Sequence, residues 1–208
     1  MASIETKERL LDAAELLFAE NGFASTSLRA ITSRAGVNIA AVNFHFGTKF
    51  SLLLATLDRR LQPISRKQLE GLRMAEDVFG DGPVDLETVL RALIMPVLRM
   101  QEDIGQAGDH FLALVGQAHR APDKKIRTAF HKLVDEVMQK YLPVFERALP
   151  SASRQELQLK LYLVMGSVTD VVGWRLNESD MVDEIPPRDD PLPMEDMLLR
   201  FAAAGMRS

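Results

Sequence analysis

The sequence predicts an all-α fold: an N-terminal module of three short helices joined to a larger C-terminal helical domain. Two observations carry that prediction. Apolar residues recur at spacings of three and four without the alternation of a half-buried strand, and only 6% of the 208 residues are aromatic. Near the N-terminus the pattern is cut by glycine at Asn21-Gly22 and again at Gly36, which leaves three short helical stretches joined by tight turns. That order and spacing is the helix-turn-helix pattern.

The first helix is expected from about Ile4 to Asn21, with Leu10, Leu11, Ala14, Leu17 and Phe18 as its buried stripe. The second starts after Thr26, a residue type suited to an N-cap, turns Leu28, Ile31 and Ala35 inward, and stops at Gly36. The third spans about Asn38 to Phe46, only two turns. A long helix follows from about Lys49 through Leu57 and Leu61, and Pro63 should bend or shorten it, because proline removes a backbone donor and crowds the preceding turn. The clearest loop is EDVFGDGPVD, residues 76–85. Beyond it, helices are expected at roughly 85–102, 108–119, 123–148, 153–177 and 193–204, with Ser153 and Glu156 forming a capping box at the start of the fourth of these. Residues 177–193, NESDMVDEIPPRDDPLP, carry six acids, one arginine and four prolines and read as a solvated connector. We place the domain boundary between residues 49 and 50, giving domains of 1–49 and 50–208.

Composition narrows the function classes. Hydrophobic residues make up 47% of the chain, enough for a sizeable core. The chain has no cysteine, which removes disulfides, thiolate metal sites and cysteine nucleophiles and fits a reducing cytoplasm. MASIETKERL mixes acids and bases ahead of any apolar run, unlike a signal peptide, and no stretch approaches the length of a membrane span, so a cytoplasmic protein without membrane association is expected. His110 and His119 stand nine residues apart on one expected helix and His131 on the next, with no i, i+4 pair among them, so no metal site is expected. No nucleophile elbow and no phosphate-cradling glycine loop occurs, so neither catalytic residues nor a cofactor are expected.

The net charge of −4 argues against a nucleic-acid partner, but its distribution argues for one. Residues 1–20 hold five acids (Glu5, Glu8, Asp12, Glu15, Glu20), whereas residues 21–57 hold Arg29, Arg34 and Lys49 and no acid at all. Within that window, GVNIAAVNFHFGTK places Ala40 and Ala41 on the leading turn of the third helix, where small side chains let a backbone approach base edges in the major groove. Donors for phosphate flank them: Asn43, His45 and Lys49, with Thr26 or Ser27 and the free N–H groups opening the second helix. Asn38, Thr48 and Arg29 complete the candidate set, and Phe44 and Phe46 are expected to pack the short helix against the first. Taken alone, the alanine pair and the Phe-His-Phe triplet fit an ordinary packed helix equally well; the acid-free window and the two preceding helices favour DNA.

The run LLDAAELLFAENGFASTSLRAITSRAGVNIAAVNFHFGTKFSLL, residues 10–53, resembles the N-terminal pattern of the TetR-type transcriptional regulators with its spacing intact. The resemblance implies a dimer whose third helix reads the major groove and whose C-terminal helices bind an inducer. It matches Lys49 to a lysine that contacts phosphate, and Ser27, Arg29, Ala40 and Ala41 to positions that often touch DNA. Asn43 stands where the family commonly carries a tyrosine, so that phosphate contact passes to the amide or is lost. GVNIAAVNFHFGTK, HFLALVGQAH, KYLPVFERALP and FAAAGMR further resemble the PsrA-like branch, which implies a fatty acid or acyl-CoA effector and a role in fatty-acid metabolism.

An acyl ligand needs a dry channel with one polar end, and methionine suits irregular cavities. Candidate lining residues are Met95, Phe111, Val115, Phe130, Met138, Tyr141 and Met165, with Arg99 or His119 at the polar end, though residues at helical spacing are core first. For the homodimer, the helix at 153–177 presents Leu159, Leu163, Gly166, Asp170 and Gly173 near one face, and Phe201 lies on the last helix. Glycines seven apart would let two such helices cross closely about a two-fold axis. Together these readings give a dimeric, ligand-responsive regulator, expected to be a repressor, on a palindromic double-stranded DNA operator. The competing readings are the same regulator with an aromatic or drug-like effector, and an all-helical lipid-binding protein or enzyme.

Overall fold

The computed structural model describes residues 2–100, 106–176 and 194–208. Among the described residues there are nine helices and no strand: α1 (Ala2–Ser25), α2 (Leu28–Ala35), α3 (Ile39–His45), α4 (Lys49–Phe79), α5 (Leu86–Leu98), α6 (Gln106–His119), α7 (Lys124–Ala148), α8 (Arg154–Leu176) and α9 (Met194–Arg207). The expected connector at 177–193 and the last two residues of the expected 85–102 helix, Gln101 and Glu102, lie outside the described residues. The chain divides into two compact units, Met1–Pro63 with Gln101–Val134 and Ile64–Met100 with Asp135–Ser208.

In the first unit α1 is the hub, packing on α2, α3 and α6. Leu10, Leu11, Ala14 and Phe18 of α1 are buried as expected, with Ile31 and Ala35 of α2, Val42 of α3 and Leu52, Leu53 and Leu57 of α4. Leu17 is only half-buried, and Glu15 takes an inward position that the hydrophobic pattern had left to water. The α1 backbone breaks at Gly22, whose φ of 76° and ψ of 160° suit only glycine, and a last turn continues to Ser25.

Pro63 does not shorten α4, which runs unbroken to Phe79, and Pro63 itself is exposed. In the second unit α5 packs on α8 and α9, and α9 on α8, around Leu90, Leu93, Ile94, Leu157, Leu161, Val168, Leu199 and Met206. Among the described residues there, buried polar groups are paired. Gln68 donates to the Leu93 carbonyl at 2.7 Å and Tyr141 to the Gln68 carbonyl at 2.7 Å.

Candidate nucleic-acid interface

Local chemistry sets the geometry of α2 and α3. Ser27 caps α2, its Oγ accepting from the Ala30 N–H at 3.1 Å. Thr26 is not the cap: its hydroxyl turns inward and donates to the carbonyls of Gly22 (2.8 Å) and Leu17 (2.9 Å), because the break at Gly22 brings those acceptors beneath it. At 4% exposure Thr26 is withdrawn as a candidate DNA contact. Gly36 ends α2 in the left-handed region (φ 64°, ψ 37°), its N–H pointing back to the Ser33 and Thr32 carbonyls. Two residues later the Asn38 Oδ1 accepts from the Ala40 N–H at 2.9 Å and opens α3. Thr48 opens α4 in the same way, accepting from the Ser51 N–H at 3.0 Å.

These caps leave one side of α2–α3 open. Ser27, Arg29, Asn38, Ala40, Asn43 and Thr48 are exposed, as is Arg34; Ala41, His45 and Lys49 are half-buried. The Lys49 ammonium donates to the Ala24 carbonyl at 3.3 Å and lies 4.4 Å from the centre of the Phe23 ring, which holds the charge at the junction of the α1 terminus and α4. Burial draws its pKa below the ordinary lysine value.

The expectation for Phe44 is overturned. Phe46 is half-buried, but Phe44 is 80% exposed, and Val42, at 0% exposure, is the residue that seats α3. An aromatic is buried by default, but α3 meets α1 and α2 through the Val42 side of its short barrel, which turns Phe44 outward. Ile39, at 42% exposure, was also missed as part of the open face.

A second feature escaped sequence reading. Glu15 is 3% exposed and receives both Arg59 (2.8 Å) and Arg60 (2.9 and 3.0 Å). Arg59 also binds Asp12 at 2.7 Å and Glu8 at 3.1 Å. Desolvation opposes the charge on Arg59, yet its hydrogen bonds to the three carboxylates hold its pKa above the ordinary arginine value. The signal was present: acids at 8, 12 and 15 share one face of α1, and two arginines adjoin on α4. Three of the five acids near the N-terminus are thereby paired with arginine, so they subtract less from the positive field of Arg29, Arg34 and Lys49 than the sequence count implied.

The effector candidates divide between the two units. Phe111 and Phe130 are buried in the first, where the half-buried His119 ring lies 6.2 Å from Phe130 and 5.5 Å from His131. In the second, Met95 is buried, Met138 and Met165 are half-buried, and Arg99 faces Glu195 at 3.7 Å. Tyr141 is core: it is fully buried, its hydroxyl is used on a backbone carbonyl, and burial raises its pKa above the ordinary phenol value. A surface concavity of about 470 Å³ in the second unit is lined by Glu87, Arg91, Asp196, Leu199, Arg200 and Arg207, among others, and includes none of the candidates. Its rim is cross-linked by Arg207–Glu87 and Arg91–Asp196 ion pairs.

On α8, Leu159, Tyr162 and Leu163 are 60%, 53% and 60% exposed, with exposed Asp170 on the same helix; Gly166 has open space where a Cβ would stand. On α9, Met197 and Phe201 are 53% and 66% exposed. Gly173 lies within α8. Among the described residues, no group of three or more His, Asp or Glu side chains is placed to hold a metal ion, and no helix is long and apolar enough to cross a membrane.

The HTH-type transcriptional regulator YerO of Bacillus subtilis is 26% identical over 137 residues, covering 66% of this chain and 44% of that protein. The HTH-type transcriptional repressor Rv3405c of Mycobacterium tuberculosis is 50% identical over 54 residues, covering 26% and 29%. The chain thus matches less than half the length of these curated relatives. The solved structure of the fatty acid degradation regulator FadR from Bacillus halodurans shares the fold, with a TM-score of 0.60 over 97% of each chain at 14% identity. The family model for bacterial regulatory proteins of the tetR family matches residues 10–56, and that for the tetracyclin repressor-like C-terminal domain matches residues 91–205, more than half of the sequence. Named relatives are regulators rather than enzymes, and with both halves matched the chain belongs to the tetR family of bacterial regulatory proteins.

Proposed function

We propose that this protein is a homodimeric, effector-responsive repressor acting in the cytoplasm, with residues 1–49 reading a palindromic DNA operator and residues 50–208 carrying the dimer and effector functions. The observation that carries the DNA reading is the open, acid-free face of α2 and α3: exposed Ser27, Arg29, Asn38, Ala40, Asn43 and Thr48, flanked by the ammonium of Lys49. Arg29, Lys49, Ser27, Thr48 and His45 take phosphates and fix the register, while Ala40 and Ala41 face base edges; Asn43, expected as a phosphate donor, stands exposed between Ile39 and Ala40 around the helix and turns its amide to a base edge instead. Two copies related by a two-fold axis place their α3 helices about 34–36 Å apart, in successive major grooves.

The dimer reading rests on the apolar positions of α8 and α9. Leu159, Tyr162, Leu163, Met197 and Phe201 are more than half exposed within one compact unit, and Gly166 offers room for a close helix crossing. Gly173 and Asp170 extend that face along α8.

The effector is a hydrophobic acid, a fatty acid or its CoA thioester. This reading is supported by the PsrA-like stretches of the sequence and by the fold shared with a regulator of fatty acid degradation. Within the second unit the half-buried Met138 and Met165 are the candidate lining. Effector favours a dimer geometry whose α3 spacing no longer fits the operator, so DNA affinity falls by the ratio of effector affinities for the two states.

Native mass spectrometry of gently purified protein tests the assignment. The expected species is a dimer carrying a mass equal to a fatty acid or acyl-CoA, and operator release should depend on acyl chain length. Release by aromatic compounds and indifference to every acyl chain would replace the effector assignment.

A further inference from the structure

We propose that α3 reads its operator chiefly through thymine methyl groups, with Phe44 as the principal contact and Asn43 as the adenine reader beside it; this rests on the DNA-binding reading above.

Ile39, Asn43, Ala40 and Phe44 fall within an arc of about 140° on a helix that turns about 100° per residue. All four are exposed, Ile39 at 42% and Phe44 at 80%, while Val42 is buried. The arc contains no charge, and Asn43 supplies its hydrogen-bonding side chain. In the major groove guanine is read by Arg or Lys on its two acceptors and cytosine by Glu or Asp on its amino group; none of these residues stands on this arc. What the arc fits is an A·T pair, which presents the adenine N6 and N7 to an amide and a thymine methyl to an apolar surface.

Phe44 has no hydroxyl for a phosphate, so its ring contributes only contact area. The ring is held in place by an edge-on contact with His45, with centroids 5.0 Å apart at 82°. Along the helix Ile39 and Asn43, like Ala40 and Phe44, are separated by about 6 Å, close to two base-pair steps of about 3.4 Å. Asn43 and Phe44 differ by about 1.5 Å along the helix axis and about 100° around it, both within the open arc, and we assign them to neighbouring base pairs. The half-site read by α3 accordingly contains consecutive A·T pairs with thymine under Phe44.

In vitro selection with the full-length protein yields the operator, after which each half-site thymine is replaced by deoxyuridine, which lacks only the methyl, and affinities are measured for the natural protein, Phe44→Ala and Asn43→Ala. We expect at least one half-site thymine whose demethylation weakens the natural protein about fourfold, the equivalent of one buried methyl. The same change should leave Phe44→Ala unaffected, because its contact is already gone. Phe44 is exposed, so Phe44→Ala should keep the natural melting temperature, and a matched melt separates lost contact from lost fold. Asn43→Ala should relax selection at a neighbouring adenine while retaining the deoxyuridine penalty. If deoxyuridine is tolerated everywhere, or penalised equally in Phe44→Ala, the methyl readout is wrong while DNA binding stands; if selection enriches no sequence, both fall.

Discussion

Glu15→Ala removes the carboxylate that joins α1 to α4. In the native fold that carboxylate is 3% exposed and holds Arg59 at 2.8 Å and Arg60 at 2.9 Å. Breaking a buried ion pair from one side costs about 3–5 kcal/mol, because the remaining charge stays desolvated. Here the arginine side chains keep 18% and 21% exposure and Arg59 retains Asp12 and Glu8, which places the expected loss at the lower end, about 3 kcal/mol. For a chain of this size that lowers Tm by about 6–12 °C, readable by circular dichroism. Two further arms identify the cause. The loss should persist in about 0.5 M salt, since buried pairs are weakly screened. Arg60→Ala in the Glu15→Ala background should add less than it does alone, since the charge it removes no longer has that partner. A Tm change under about 2 °C, or strict additivity of the two substitutions, would refute the claim that this cluster clamps α1 to α4.

Lys49→Ala should weaken binding to all DNA sequences alike and lower the slope of log affinity against log salt by about 0.9 per subunit; an unchanged slope removes Lys49 from the interface. Leu163→Glu, placing a charge on a 60% exposed apolar position of α8, should shift sedimentation from dimer to monomer at unchanged helicity. Asp85 caps α5, and hydrogen bonds from the Thr88 side chain and N–H hold its pKa below the usual carboxylate range. The folded pKa is the lower one, so the cap's stabilisation is complete above the unfolded value of about 3.9 and lost as pH falls through the folded value. Urea midpoints should therefore fall below about pH 4, and Asp85→Asn, which keeps an acceptor but cannot titrate, should reduce that fall.

The helices and some of their ends were legible in the sequence because their causes are local. Apolar spacing, the helix stop at Gly36, the Ser153 cap and the acid-free window all act within a few residues of themselves. Residue type also marked the apolar positions of α8 that stay exposed, since Leu159 and Leu163 share a helical face with Gly166. Tertiary structure decided the rest. Thr26 and Ser27 are both capable caps, and the choice between them follows from the break at Gly22, which supplies acceptors for one hydroxyl and not the other. Glu15 reads as a surface acid until α4 brings two arginines across from 44 and 45 residues away. Phe44 and Val42 are both apolar, and only the packing of α3 on its neighbours determines which is buried and which is left facing outward. Local chemistry sets where a helix begins and ends; which of its faces is covered depends on partners distant in the chain.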